Sequence, residues 1–457
     1  MIPVVTPQEM AAVDAAAPEP VEDLIRRAGA HVHWEALDLL GGAYGRRVVV
    51  VAGKGNNGND GRDSARRLRR AGARVIEIDA ADPPKILPPS DLVIDAAFGT
   101  GFSGTWHPPD IGGAPVLAVD IPTGVDGLTG ECHGEPWCAA RTVTFQALKP
   151  GLLFEPGASK CGQLLVADIG LNLGDVATGV VTAADVAELW PLRPRGAHKW
   201  TRAVYVVGGS PGMVGAAGLV AHGALRAGAG MVRVGSRAPD LDTIVPTEAV
   251  SRQLPPTGWG DAVLGDLDRF HVLVIGPGLG RDETTVAEIR RVLASAPVPA
   301  VVDADALFAL EGSRLVREIV DRRARPTILT PHEGEFARLF GSPFGPDRLG
   351  AAANLAANTG AVVLLKGPTT IVAAPDGRCR LITNGDARLA TAGTGDVLAG
   401  VVGAAVASGL DAFDAAACGA WVHAAAAREC PILGLVAGDV ADEVPAVLDR
   451  VIGSGAV

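Results

Sequence analysis

"VVVVAGKGNNGNDG", Val48 to Gly61, decides how the first part of the chain is read. Four consecutive β-branched residues make a strand buried on both faces, as in a parallel sheet. A glycine-rich turn follows, and "RDSARRLRRAG" after it reads as a helix. A strand–turn–helix join of this kind ordinarily cradles a phosphate at the helix N-terminus. The residues nevertheless match neither the dinucleotide pattern G-x-G-x-x-G nor the P-loop G-x-x-x-x-G-K-[ST]. Asn56 and Asn57 stand where those loops carry small or basic residues. A second glycine turn, "TAGTGDVLAG" at 391–400, implies a second site of different design.

Outward from Val48, the first part of the chain repeats the same kind of apolar run: "ARVIEI", "DLVIDA", "APVLAVDIP", "RTVTFQ" and "QLLVADIG". Continuous runs that do not alternate predict a Rossmann-like, doubly wound α/β sheet with mostly parallel strands. Ligands then sit at the carboxyl ends of the strands, where "GKGNNGND", "DAAFGTGFSG" and "DIPTGVDG" fall. The pattern breaks at "ELWPLRPRGAHKW", which places a linker at about 190–200 and divides the chain into 1–190 and 191–457. Strands and helices then resume as a second α/β domain. In it "AVVLLKGPTTIVAAPDGRCRLITNG" reads as two or three β segments joined by turns, and helical patterns run from about Asp396 nearly to the end.

The 457 residues suit two or three domains, and 48 % hydrophobic content is enough for well-buried sheets. Gly (59) and Pro (33) make up about a fifth of the chain, loop-rich without being low-complexity. A net charge of −11 gives no electrostatic footprint for nucleic acid. The apolar stretch 397–410 is too short to span a bilayer. Six cysteines without a C-x-x-C pair read as reduced thiols, and the N-terminus shows no basic start or apolar core of a signal peptide, so a soluble, cytoplasmic protein is expected. Lysine is scarce, six against 34 arginines, which draws attention to Lys54, Lys149 and Lys366 near glycines.

At the first site, asparagine side chains tolerate left-handed turns and offer amide oxygens. Beside Asp95 and Asp120 they make an oxygen-rich cage suited to a hard cation; the plain alternative is a glycine turn that merely closes a strand–helix join. "GKGNNGNDG", "VIDAAFGTGFSG", "AVDIPTGVDGLTG" and "VTFQALKPGLL", over about residues 1–185, resemble the epimerase domain for hydrated NAD(P)H. The resemblance implies a potassium ion held by Asn57, Asp95 and Thr123. It also implies nucleotide contacts from Asn56, Asn57, Gly58, Asn59 and Asp60, from Gly99, Thr100, Gly101, Phe102, Ser103, Gly104 and Thr105, and from Asp120. The implied reaction interconverts the R and S configurations at the hydrated ring carbon. It needs a positioned acid/base, for which Asp95 is the first choice and Asp120 the second. Asn59 replaces a usual glycine, and a left-handed conformation is expected there.

At the second site, glycines precede a long apolar helix with Asp396 at its start. The amides of Ala392, Gly393, Thr394 and Gly395 can hold an anion, and Asp396 can either cap the helix or accept a proton from an attacking hydroxyl. "VVGGSPGMVGAA", "ALRAGAGMV", "VIGPGLG", "PAVVDADAL", "TPHEGEFARL", "KGPTT" and "AGTGDVLAG" are similar to the hydrated-NAD(P)H dehydratase of the ribokinase-like superfamily, over about 195–450. That implies a nucleoside diphosphate with Mg2+, held by Lys366, Gly367, Pro368, Thr369 and Thr370 and by the segment Asp386–Gly395. Gly215, Gly278, His332 and Asp396 would contact the hydrated substrate. The fused arrangement resembles bacterial members, which implies ADP, and the resemblance alone raises a homo-oligomer. Ala392 replaces the first glycine of the usual motif, which matters if that position needs positive φ. Two alternatives stand beside this reading: a ribokinase-like kinase of small metabolites with a non-catalytic N-terminal nucleotide-binding module, and a non-catalytic scaffold.

Overall fold

A computed structural model describes residues 1–239, 241–243 and 245–454. The chain forms two compact units, Ile2–Val176 and Ala177–Val457. The boundary therefore lies before the proline-rich stretch, not at 190. The cause is pairing: strand Thr178–Val180 runs parallel to Cys379–Ile382, and Val186 and Trp190, on and just after helix Ala183–Leu189, are buried in the second unit's core.

In the first unit six strands lie in the order Arg74–Asp79, Arg47–Ala52, Leu92–Ala96, Val116–Val119, Arg141–Phe145, Gln163–Ala167, all neighbours parallel. The chain first builds to one side of Arg47–Ala52 and then to the other. The join between Arg47–Ala52 and Leu92–Ala96 is thus the switch point where a ligand crevice opens. Helix Asn56–Arg70 starts directly at the asparagines, with Gly55 as N-cap. No separate turn carries them, and Asn59 is helical and absent from the positive-φ residues, so the left-handed expectation for it fails. The glycines act by close approach instead. A Cβ on Gly53 would meet the Ala97 carbonyl at 1.9 Å, one on Gly58 the Gly53 carbonyl at 2.0 Å, and one on Gly61 the Ala96 Cβ at 2.5 Å.

In the second unit ten strands follow the order Thr178–Val180, Cys379–Ile382, Thr370–Ala373, Val362–Leu365, Thr327–Leu329, Ala300–Val302, Val272–Ile275, Ala203–Val207, Met231–Ser236, Val250–Gln253. Only the Val362–Ile382 meander is antiparallel, because its turns are too short for a crossover. Helix Thr394–Ala407 is buried along nearly its whole length. It crosses helix Val214–Arg226 closely enough that a Cβ on Gly400 would meet the Val220 carbonyl at 2.1 Å, and one on Gly223 the Val397 carbonyl at 2.4 Å. The glycine-rich apolar stretch is thus an interior helix. Among the described residues no helix is long and apolar enough to cross a membrane.

Candidate active sites

The switch point of the first sheet opens into a cavity of ≈ 450 Å³. One wall is the start of helix Asn56–Arg70, with Asn56, Asn57 and Asp60; another is the loop Ala97–Phe102; a third comes from Met10, Asp14, Val21, Leu24 and Ile25 of the two N-terminal helices. Phe98 and Phe102 stack with ring centroids 4.7 Å apart. Of the residues assigned from sequence, Asn56, Asn57, Asp60, Gly99, Thr100, Gly101, Phe102 and Asp120 line the cavity, whereas Gly58, Asn59, Ser103, Gly104 and Thr105 do not. Asn59 instead turns its amide oxygen toward Arg62, 3.4 Å away.

Asp120 carries φ 65°, an uncommon conformation for a residue with a side chain. Its Oδ1 accepts from Lys149 Nζ at 2.5 Å and from Thr144 Oγ1 at 3.0 Å. Lys149 is 1 % exposed and also donates to Thr144 Oγ1 and the Phe145 carbonyl. The ammonium is therefore fully satisfied and fixes one oxygen of Asp120.

Asp95 does not line the cavity. It sits inside the sheet, paired in register with Val51 and Ala118. Its carboxyl accepts from Thr123 N (2.9 Å), Thr123 Oγ1 (2.7 Å) and Ala97 N (3.4 Å). Burial pushes it up, against the opposing pull of the Thr123 and Ala97 bonds. Both polar atoms of the Asn57 amide are buried without a hydrogen-bond partner. A buried amide oxygen without a donor fits a weakly bound monovalent cation, and no cluster of three or more His, Cys, Asp or Glu ligands suited to a transition metal occurs among the described residues.

In the second unit Gly393, with φ 91°, caps helix Thr394–Ala407. Ala392 is not among the positive-φ residues, so the strain feared there falls on Gly393, where a glycine stands. Thr394 Oγ1 lies 2.8 Å from both the Leu389 and Thr391 carbonyls and ties the loop down. Lys366 Nζ lies 3.6 Å from where a Cβ on Gly395 would stand, and it pairs with Asp303 at 2.9 Å and Glu335 at 3.8 Å. Burial opposes the charge of Lys366, but Asp303, Glu335 and Asp396 outweigh it and hold the ammonium above its ordinary value. Asp396 is pushed up to about 7, first by burial and then by Asp303, with Lys366 pulling the other way.

Gly367 faces Arg348, Thr369 is buried, and Thr370 opens its strand. His332 is an exposed N-cap whose Nδ1 accepts from Gly334 N and Glu335 N. Gly278, at φ 67°, packs on Met213 and Ala216, the neighbours of Gly215. Gly215 itself lines a separate cavity of ≈ 900 Å³ whose lining excludes Asp396. Sequence reasoning missed Asp14, Asp303 and Asp305 as members of these charged clusters, and it left Lys149 without a role. The polar end of "VVDADAL" was the available signal for Asp303 and Asp305; nothing local marks Asp14.

Two α/β units, one with a carboxylate-lined crevice and one with a phosphate-type loop beside a half-buried aspartate, define an enzyme with two sites. The NAD(P)H-hydrate dehydratase family matches residues 204–442, and the YjeF-related protein N-terminus matches 21–88 and 76–151. The bifunctional NAD(P)H-hydrate repair enzyme Nnr of Moorella thermoacetica is 38 % identical over 471 aligned residues, covering 88 % of this chain and 87 % of that one. The second unit is similar to the ADP/ATP-dependent NAD(P)H-hydrate dehydratase of Bacillus subtilis co-crystallised with ATP and Mg2+ (TM-score 0.53, 32 % identity, 60 % of this chain and 98 % of that one). A ribokinase-like superfamily protein from Enterococcus faecalis shares its fold (TM-score 0.54, 21 % identity, 61 % and 98 %). The chain belongs to the family of bifunctional NAD(P)H-hydrate repair enzymes.

Proposed function

We propose that the chain repairs hydrated NADH and NADPH as a soluble cytoplasmic enzyme, the first unit interconverting the R and S hydrates and the second returning the S hydrate to NAD(P)H with ADP. The observation that carries the reading is Asp396. It stands in the first turn of a helix capped by the left-handed Gly393, beside the Lys366 ammonium.

In the second unit, Asp396 accepts the proton of the ring hydroxyl as that oxygen attacks the terminal phosphorus of ADP and AMP departs. Hydroxide is a poor leaving group and phosphate a good one. The ring nitrogen then expels phosphate, and loss of a proton from the adjacent carbon restores the double bond. The amides of Gly393 and Gly395 and the Lys366 ammonium hold the phosphoryl oxygens. Mg2+ would arrive with the nucleotide and neutralise phosphate charge.

In the first unit Asp120, anchored by Lys149 and presenting its other oxygen to the cavity, is the acid/base group. Asn57, Asp95 and Thr123 would hold K+, which supplies a fixed positive charge at the crevice. Asp95 therefore serves as a ligand, not as the proton carrier.

The test is recovery of reduced-nicotinamide absorbance from a mixture of both hydrated NADH epimers, with ADP, with ATP and without nucleotide. Full recovery with ADP that vanishes in Asp396→Ala is expected. Recovery of the S fraction alone would remove the epimerase half, and no recovery with any nucleotide would overturn the reading.

A further inference from the structure

Two carboxyls of the first cavity, Asp14 and Asp60, have no side-chain partner among the described residues, and of the two only Asp60 is buried. Asp60 is 7 % exposed and lines the cavity, yet its side chain takes part in no hydrogen bond or ion pair among the described residues. Its neighbour Asp63 differs, being held by Arg66 at 2.7 Å and Arg67 at 2.6 Å. A carboxylate buried without donors is costly, and a neutral carboxylic acid is far less so.

The charge inventory agrees. Asp14, Asp60, Asp120 and Lys149 line the same cavity, so full ionisation would set three carboxylates against one ammonium. The Lys149 charge is already placed on Asp120 Oδ1. A cation at Asn57 would be neutralised by Asp95. Asp14 is exposed, so water can solvate its charge, which leaves Asp60, buried and without a donor, as the carboxyl that keeps a proton. Burial, then Asp120, Asp63 and Asp14, push Asp60 up to about 8. Environments that separate two carboxyls in this way mark an acid and a base.

We propose that Asp60 is the proton donor of the first site and works against Asp120 as acceptor, the two carboxyls serving the two faces of the hydrated ring carbon. This rests on the epimerase reading above. Asp60 gives its proton to the ring hydroxyl, the C–O bond breaks, and water leaves as the ring nitrogen's lone pair forms a C=N bond. A second water adds to the opposite face, its proton passes to Asp120, and the lone pair returns to nitrogen. The enzyme is left with Asp60 ionised and Asp120 protonated, which is the state that inverts the other epimer.

The experiment follows inversion of purified R hydrate by the full-length chain in isotopically labelled water. In Asp60→Asn, inversion and entry of labelled oxygen should fall together by about 100-fold or more, with KM little changed. ADP-dependent dehydration of the S hydrate in the same preparation should be unaffected, which controls for folding of the chain. Asp60→Glu should restore part of the rate. Inversion by Asp60→Asn at the wild-type rate, or wild-type inversion without label in the hydroxyl, overturns the proposal. Failure of the wild-type chain to invert either epimer overturns the epimerase reading itself.

Discussion

Asp60 and Asp396 occupy comparable places, each early in a helix that follows a glycine-containing loop, and each is pushed up, to about 8 and about 7. Their surroundings differ. On Asp60, after burial, the forces come from Asp120, Asp63 and Asp14, and all act in one direction. Asp396 meets Asp303, Asp305 and Glu335 as well, but Lys366 stands among them and pulls back. A buried carboxyl among like charges keeps its proton and can give it; one with an ammonium beside it can release the proton near neutrality and act as a base. The two units thus use one residue type for opposite halves of proton transfer.

The sharpest way to break this comparison is to exchange amides. Asp396→Asn should lower ADP-dependent dehydration by about 100-fold or more and leave inversion intact, while Asp60→Asn does the reverse. Loss of both activities in either variant would show that the two units are not independent. A second test is pH. Asp60 must start protonated, so inversion should fall as pH rises through about 8; Asp396 must start ionised, so dehydration should rise through about 7. The groups that set these limbs are Asp120, Asp63, Asp14 and the nearby Lys149 for the first site, and Asp303, Lys366, Asp305 and Glu335 for the second. Rate profiles of parallel slope would end the acid-versus-base distinction.

The phosphate-type loop sharpens the comparison further, since only the second site needs a left-handed glycine beside its helix. In Gly393→Ala the new Cβ would stand 2.6 Å from Leu219 Cδ1 at φ 91°. A cost of about 1–3 kcal/mol in the melting of the second unit, with a higher KM for ADP and unchanged inversion, is expected. Ala392→Gly should do little, because its φ is ordinary. The last effect concerns stability. For a carboxyl raised above its unfolded value of 3.8, stability is lost as pH rises through the folded value. Asp60→Asn should therefore melt higher than the parent above about pH 8 and show no such gain in acid, as thermal unfolding at both conditions would reveal.

Much of the architecture was legible in the chain. Apolar runs without alternation made the first sheet parallel, since a strand covered on both faces has no polar side to show. The polar and glycine-rich ends of those runs marked the ligand edges, and the meander at 362–382 was readable from its turns. The asparagine loop was located correctly, but its conformation was misread: Asn56–Asp60 looked like a turn because glycine and asparagine favour turns locally. Packing of Gly53, Gly58 and Gly61 on the strand ends overrides that preference and starts the helix at Asn56. The same limit applies to the boundary, where prolines drew attention to 190 while the pairing of Thr178–Val180 moved it to 176.

By itself the sequence determined the two-unit α/β organisation and the two glycine-bearing edges, and it offered Asp95, then Asp120, and Asp396 as candidate proton carriers, because periodicity and motif spacing are local properties. Only the tertiary structure decided which carboxyl holds a proton. Asp14, Asp60, Asp120 and Lys149 come from four separate segments that meet in one cavity. Whether a carboxyl is charged depends on the burial and the charges around it in space, and neither is encoded in its neighbours along the chain.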